Sequence, residues 1–197
     1  PWWRLDGPVS RVSVYGSAAR STESYSGTGR RLESELRGRV RPRLEPSPGW
    51  YADFTAEAWR SRQELYQPRR VVGLRAAVDP VATFPGWIEP GLELSGERRV
   101  EEIDGLEAWS WAAAPHFSIS GGGYTGSGRL EVWVIPGTEE LPPWFFDGSD
   151  RGTGLSANLR AGRRISGGLD LALTYWARRP AGGELSQRAG LEGTVSF

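Results

Sequence analysis

An enzyme needs a nucleophile or a general base, and this chain offers few. His116 is the single imidazole, the hydroxyl of Ser118 lies two residues on, and cysteine is absent. Without cysteine there are no thiol nucleophiles, disulfide scaffolds or thiolate zinc sites, and one histidine leaves little for an imidazole metal centre. The glycines Gly121, Gly122, Gly123, Gly126 and Gly128 have the density of a phosphate cradle. No Lys-Ser/Thr pair or helical pattern follows them, so they read as a turn or as close strand packing. Glu139, Glu140, Asp147 and Asp150 match no calcium-loop spacing and read as solvated charge. No metal and no cofactor are expected.

What remains is ionic. The chain has 24 basic residues, all arginine, against 24 acidic ones, so its formal net charge is zero. No net field recommends nucleic acid as a partner. At 197 residues and 21.7 kDa the expected organisation is one domain, 1–197, with residues 1–8 as a lead-in. Mean hydropathy is −0.46, and no apolar run approaches the roughly 20 residues of a membrane-crossing helix. A membrane protein built from strands remains open.

The elements that must carry these charges are legible between Arg31 and Leu44. Odd positions read Arg31, Glu33, Glu35, Arg37, Arg39, Arg41 and Arg43; even positions read Leu32, Ser34, Leu36, Gly38, Val40, Pro42 and Leu44. Two unlike faces at period two define a strand. The same alternation places Trp50, Ala52, Phe54, Ala56 and Ala58 opposite Tyr51, Asp53, Thr55 and Glu57, and Val72, Leu74, Ala76 and Val78 opposite Gly73, Arg75 and Asp79. Ile88, Pro90, Leu92 and Leu94 oppose Glu89, Gly91 and Glu93. Leu106, Ala108 and Ala112, taken as apolar, oppose Glu107, Trp109 and Trp111. Leu130, Val132 and Val134 oppose Arg129 and Glu131; Leu155, Ala157, Leu159 and Ala161 oppose Asn158 and Arg160. Leu169, Leu171, Leu173 and Tyr175 oppose Asp170 and Thr174, and Leu191, Gly193, Val195 and Phe197 oppose Glu192, Thr194 and Ser196.

With an opening strand near Val9 to Arg20, the expectation is about ten strands of roughly 9–14 residues in an all-β, antiparallel, up-and-down meander. Short connections are expected at 45–49, 79–86, 116–122 and 163–167. Longer ones fall at 21–29, 62–69, 98–105, 136–152 and 178–185. Short turns at one end and long loops at the other are the asymmetry of a closed transmembrane β-barrel.

Alternation alone does not say which face is wet. A soluble β-sandwich or lipocalin-like binder packs its apolar face inward, whereas a membrane barrel turns it to lipid. Many apolar positions here are small, among them Ala52, Ala56, Ala76 and Ala157, which would fill a soluble core poorly. Aromatic residues gather near strand ends (Trp50, Tyr51, Trp87, Tyr175, Trp176), as in interfacial girdles. The expectation is therefore apolar side out.

The C-terminal segment Ala189 to Phe197 resembles the last strand of bacterial outer-membrane β-barrel proteins, which end in an aromatic residue preceded by small or apolar residues at every second position. Leu191, Gly193, Val195 and Phe197 fit that signature. The resemblance implies a location in the outer membrane of a Gram-negative bacterium. It also implies recognition by the barrel-assembly machinery and closure of the last strand against the first. A second, smaller resemblance is that of His116-Phe117-Ser118 to the His-x-Ser pair of the outer-membrane lipid A deacylases, with Glu131 as the third member. The Asn-rich surroundings of that family are missing, so a lipid-modifying hydrolase on His116, Ser118 and Glu131 is the alternative, and a non-catalytic barrel the main expectation.

A ten-stranded barrel is narrow. Arg37, Arg39, Arg41, Arg75, Arg129 and Arg160 are expected to meet Glu35, Asp53, Glu57, Glu89, Glu93, Glu107, Glu131, Asp170 and Glu192 across its lumen, forming a plug or a narrow, porin-like path. Trp144, Phe145 and Phe146, in the long loop 136–152, either bind a ligand or another protein subunit or fold over the barrel mouth. The pairs Arg69-Arg70, Arg98-Arg99 and Arg178-Arg179 lie beside the long connections, where lipopolysaccharide phosphates would suit them. The chain contains no methionine, from which a segment upstream of Pro1, either a secretory signal or a further domain, is expected.

Overall fold

The computed structural model of the chain describes residues 2–3, 9–25, 29–64, 68–84, 87–142, 144–146, 149–166 and 169–195. Every regular element among them is a strand. β1 (Trp2–Trp3) is two residues long, and ten long strands follow: β2 (Val9–Tyr25), β3 (Gly29–Ser47), β4 (Trp50–Glu64), β5 (Arg69–Ala82), β6 (Ile88–Glu101), β7 (Glu107–Gly121), β8 (Tyr124–Ile135), β9 (Gly152–Ser166), β10 (Leu169–Arg179) and β11 (Ser186–Val195). Each pairs with its sequence neighbours in a single meander. The described ladder therefore has two edges, at β1 and at β11, and is an open sheet.

The strands are long because the alternation is unbroken. β3 has 19 residues and β2 has 17, against a usual ~5–6 in soluble sheets. Tight reversals separate them at one end. Gly49 (φ 85°) turns β3 into β4, and Gly122 and Gly123 (φ 59° and 80°) turn β7 into β8; each needs the left-handed conformation that glycine adopts without steric cost. The connection expected at 116–122 is thus confined to these two glycines, and His116 sits within β7, not in a turn. The expected long loop at 21–29 likewise shrinks, because β2 runs on to Tyr25 and β3 starts at Gly29.

Register confirms one ionic and one apolar side. In β2 and β3, Val14 faces Val40 and Ala18 faces Leu36, while Ser17 faces Arg37 and Ala19 faces Glu35. In β10 and β11, Leu173 faces Leu191 and Leu169 faces Val195. The apolar side is the exposed one: Leu36 is 64% accessible and Leu191 75%, and Leu74, Leu94, Leu159 and Leu173 are exposed as well. On the other side Asp53 is 4% accessible and Glu57 7%.

One strand reverses the expectation. In β7 it is Ala108 (2% accessible) and Ala114 that are buried, with Trp109 and Trp111 (58%) exposed. Alanine counts as apolar by composition, but its small volume suits a crowded side, and the two indoles supply the exposed apolar surface. Glu107 follows their parity. It leaves the expected lumen set and binds Arg98 on the apolar side, at 2.7 and 2.9 Å, with the Trp109 indole donating to it at 3.2 Å.

Packing groups the residues into two units. The first holds Pro1–Glu45, Asp53–Val78 and Ser95–Ser110; the second holds Pro46–Ala52, Asp79–Leu94 and Trp111–Phe197. In the first, the buried Glu101 carboxylate accepts from the backbone N–H groups of Arg70, Ile103 and Asp104, tying the β6–β7 connection to β5. In the second, the only buried large apolar cluster among the described residues is in the long loop. Phe145 (1% accessible), Phe146 and Leu141 are buried, as are Ile135 and Ala181, and Trp144, Phe145 and Phe146 meet successively edge to face with centroids 5.5 and 5.3 Å apart. Phe145 and Phe146 are therefore buried within a folded loop and Trp144 is half-buried, the arrangement of the folded-loop alternative and not of an exposed ligand face.

Candidate functional site

The ionic side of β3 and β4 is built by their common parity. Arg43 grips both oxygens of Asp53, Nε to Oδ1 at 2.9 Å and Nη2 to Oδ2 at 2.8 Å, and Arg41 Nη2 reaches Oδ2 at 2.7 Å. One turn of pleat further, Arg39 donates twice to Glu57 Oε2, at 3.0 and 2.9 Å. Arg37 lies 3.3 Å from Glu57 Oε1 and pairs with Glu35 at 2.9 Å. Two buried carboxylates thus take four guanidiniums. A carboxylate has about four acceptor sites, and forked arginines are the donors that fill them.

The expected network members Arg37, Arg39, Arg41, Glu35 and Glu57 are brought together, and Arg43 and Asp53 complete them. Arg75 lies on the same side of β5, by parity with Val71 and Gly73. In the second unit Arg129 reaches Glu93 at 3.1 Å and Glu131 at 3.7 Å, and Arg160 reaches Glu192 at 2.8 Å across β10. Arg164 pairs with Asp170 at 3.1 Å. The expected charges form several local clusters.

His116 is the centre of a different arrangement. Its Nε2 is 2.7 Å from Asp79 Oδ1, and it stands opposite Arg129 in the β7–β8 ladder. The ring lies on Gly91 of β6, where an added Cβ would be 2.4 Å from Cε1 and 2.5 Å from Nε2. The carboxylate at the imidazole is Asp79, and Glu131 instead faces Arg129, which overturns the expected third member. Ser118 donates its hydroxyl to Glu89 Oε2 at 3.2 Å. Imidazole and hydroxyl are thus each engaged by their own carboxylate, and no hydrogen bond joins nucleophile to base as a catalytic relay requires. Asp79 carries no signal in sequence, since it lies 37 residues from His116 and two strands away, on β5, where the imidazole of β7 reaches it across Gly91 of β6.

A repeated motif on the ionic side escaped sequence reading. Trp59 of β4 covers Gly73 of β5 and stacks beneath Arg99 of β6, whose Cζ is 5.1 Å from the ring centroid. In the other unit Trp133 of β8 covers Gly154 of β9 and stacks beneath Arg178 of β10 at 5.6 Å. In both, an indole crosses a strand that has no side chain at that point to reach a cation two strands away. The available signal was a glycine interrupting each alternating strand, the single one of β5 and one of three in β9.

Of the terminal-strand residues, Leu191, Gly193 and Val195 share the exposed side of β11, and Leu191 and Val195 are among its exposed apolar groups. Phe197 lies outside the described residues, as do Pro143, Asp147 and Gly148. No group of three or more metal-ligating side chains occurs among the described residues, and no helix is long and apolar enough to cross a membrane. Compared with protein-family models and with curated proteins, the chain matches none.

Proposed function

We propose that this chain forms a closed β-barrel in a bacterial outer membrane, with the apolar side against lipid and the Arg/Glu/Asp side filling the lumen. It serves as a structural or partner-binding component or as a narrow pore, and is not an enzyme. The observation that carries the reading is the inverted burial. Leu36, Leu74, Leu173 and Leu191 are exposed on one side while Asp53 and Glu57 are buried on the other. Covering each such leucine with hydrocarbon is worth roughly 1.5–3 kcal/mol, which water does not supply. Closure brings the free edges of the meander together, since unpaired strand edges are costly in lipid. The terminal strand, with Leu191, Gly193 and Val195 aligned, is the segment read by the assembly machinery in the family it resembles.

The lumen is a plug or a constricted path. Paired guanidiniums and carboxylates on β3 with β4, β6 with β8 and β9 with β11 neutralise each other and occupy the space an open channel would need. The test is reconstitution. In bilayers containing brominated acyl chains, fluorescence of the exposed Trp109 and Trp111 should be strongly quenched, and planar-bilayer recordings should show small or no conductance. A monodisperse, folded protein in detergent-free buffer overturns the membrane reading, and large stable openings overturn the plug.

A further inference from the structure

On the ionic side of β3 and β4 the two signs of charge lie at different depths. The side chains of Asp53 and Glu57 are 4% and 5% accessible, while those of Arg41 and Arg39, which bind them, are 48% and 43% accessible. Every oxygen of the two carboxylates is within 3.3 Å of a guanidinium nitrogen. Asp53 takes Arg43 on Oδ1 and Arg43 with Arg41 on Oδ2; Glu57 takes Arg37 on Oε1 and Arg39 on Oε2. The carboxylates are thus enclosed, and the outer layer of this wall is guanidinium.

The layering is most complete in the middle of β3. Arg39 and Arg41 are next neighbours on one side of a strand, which sets their Cα atoms roughly 6.6 Å apart. A guanidinium carries five N–H groups on three nitrogens. In the described contacts Arg41 commits Nη2, and Arg39 commits Nε and Nη2, so each keeps donors for a further acceptor. On β2, Tyr15 stands opposite Arg39 and Ser13 opposite Arg41, so the same two rungs carry hydroxyl-bearing residues, and Tyr15 is exposed. The other acidic residues on this side of β3 are displaced along the strand. Glu35 lies four residues from Arg39 and is held by Arg37 at 2.9 Å; Glu45 lies four residues from Arg41 and accepts from Ser10 at 2.7 Å; Glu33 lies six residues from Arg39. Those separations are roughly 13 and 20 Å, beyond the screening length of about 8 Å at physiological salt. The wall selects by depth: whatever its total charge, a solute meets N–H groups here before it meets a carboxylate.

We propose that Arg39 and Arg41, flanked by Tyr15, hold a dissolved oxyanion of the phosphate class on the wall of the lumen. The site rests on the reading above, in which the ionic side is the lumen, and names the class of solute which that narrow path takes up. Guanidinium forks match oxygen pairs two at a time, and two forks at this spacing grip one tetrahedral anion from two directions. A cation meets only donors. A halide gains the charge but has no oxygen pair for the fork.

The test uses the full chain refolded in non-ionic detergent at low ionic strength, with radiolabelled inorganic phosphate as the probe and equilibrium dialysis as the readout. Phosphate should bind saturably, and the double variant Arg39→Gln/Arg41→Gln should bind it about tenfold more weakly, as expected for lost charge-assisted hydrogen bonds. Arg41→Lys keeps the charge and loses the fork; it should bind about threefold more weakly, and it carries the test if the double variant does not fold. Arg163→Gln, on β9 where the guanidinium stacks 5.1 Å from the Tyr124 ring, should bind as the unaltered chain does. Undiminished binding by either Arg39→Gln/Arg41→Gln or Arg41→Lys, with β-sheet circular dichroism intact, overturns the site. Displacement of phosphate by an equal concentration of chloride overturns the oxyanion assignment. Both results leave the membrane reading standing. Folding in detergent-free buffer overturns that reading instead, and is visible before any phosphate is added.

Discussion

The indole of Trp133 lies flat over Gly154, so close that an added Cβ would be 2.2 Å from Cε2. The two residues face each other in the β8–β9 ladder, and the ring continues to Arg178 on the next strand. Trp59 over Gly73 repeats this in the other unit. A residue type often treated as a weakness in strands is here the space that lets a cation–π contact reach across one.

Gly154→Ala should therefore act by displacing a ring, with no change of backbone conformation. Overpacking of this kind costs about 1–3 kcal/mol. Urea unfolding followed by tryptophan fluorescence should show a lower midpoint and an altered native spectrum, and Trp133→Leu in the same chain should make the added methyl nearly neutral.

Replacing Asp53 by Asn leaves Arg41 and Arg43 facing each other across an uncharged amide. Removing one partner of a buried pair costs about 3–5 kcal/mol, reduced here to ~2–3 because both guanidiniums are partly exposed. The midpoint of unfolding in detergent should fall accordingly. The triple change Asp53→Asn, Arg41→Gln, Arg43→Gln should recover much of the loss, since no uncompensated charge then remains.

Leu74, exposed in the middle of β5, distinguishes lipid from water directly. Leu74→Arg should cost about 2–4 kcal/mol for folding into bilayers if the residue faces the midplane, whereas a surface leucine of a soluble protein loses almost nothing on the same change. Folding yield into vesicles, read by heat-modifiable migration, measures it.

The long loop between β8 and β9 should be sensitive to acid. Asp150 accepts backbone hydrogen bonds from Leu141 at 2.9 Å and Arg151 at 2.7 Å, and these hold its carboxyl below the ordinary value. With the folded pKa below the unfolded one, the unfolded loop binds more protons in between. Its stabilisation is thus complete above the ordinary carboxylate range and is lost as pH falls through the lowered value. An acid-active protease such as pepsin should cut the loop increasingly as pH drops through that window, and Asp150→Asn should remove most of the pH dependence.

The ten long strands and their meander order were legible from period-two patterning, because side chains on a strand must alternate; the lengths of the connections were not, since β2 and β3 extend into the expected long loop at 21–29. That Arg39 and Glu57 share a side followed from the same parity, though not that they pair. The β7 faces did not, because hydrophobicity ranks Ala108 with leucine while packing ranks it by volume. Sequence assigned Glu131 to His116, but the imidazole meets Asp79 of β5, two strands away across β6.

Sequence by itself determined that the chain is a meander of long strands with one ionic and one apolar side, since that needs only local alternation of residue types. Tertiary structure alone decided which carboxylate meets each cation, which residues of β7 are buried, and that Phe145 and Phe146 turn into their own loop. Those outcomes depend on which strand lies beside which and on the volume left between them, and neither quantity is a property of any single segment.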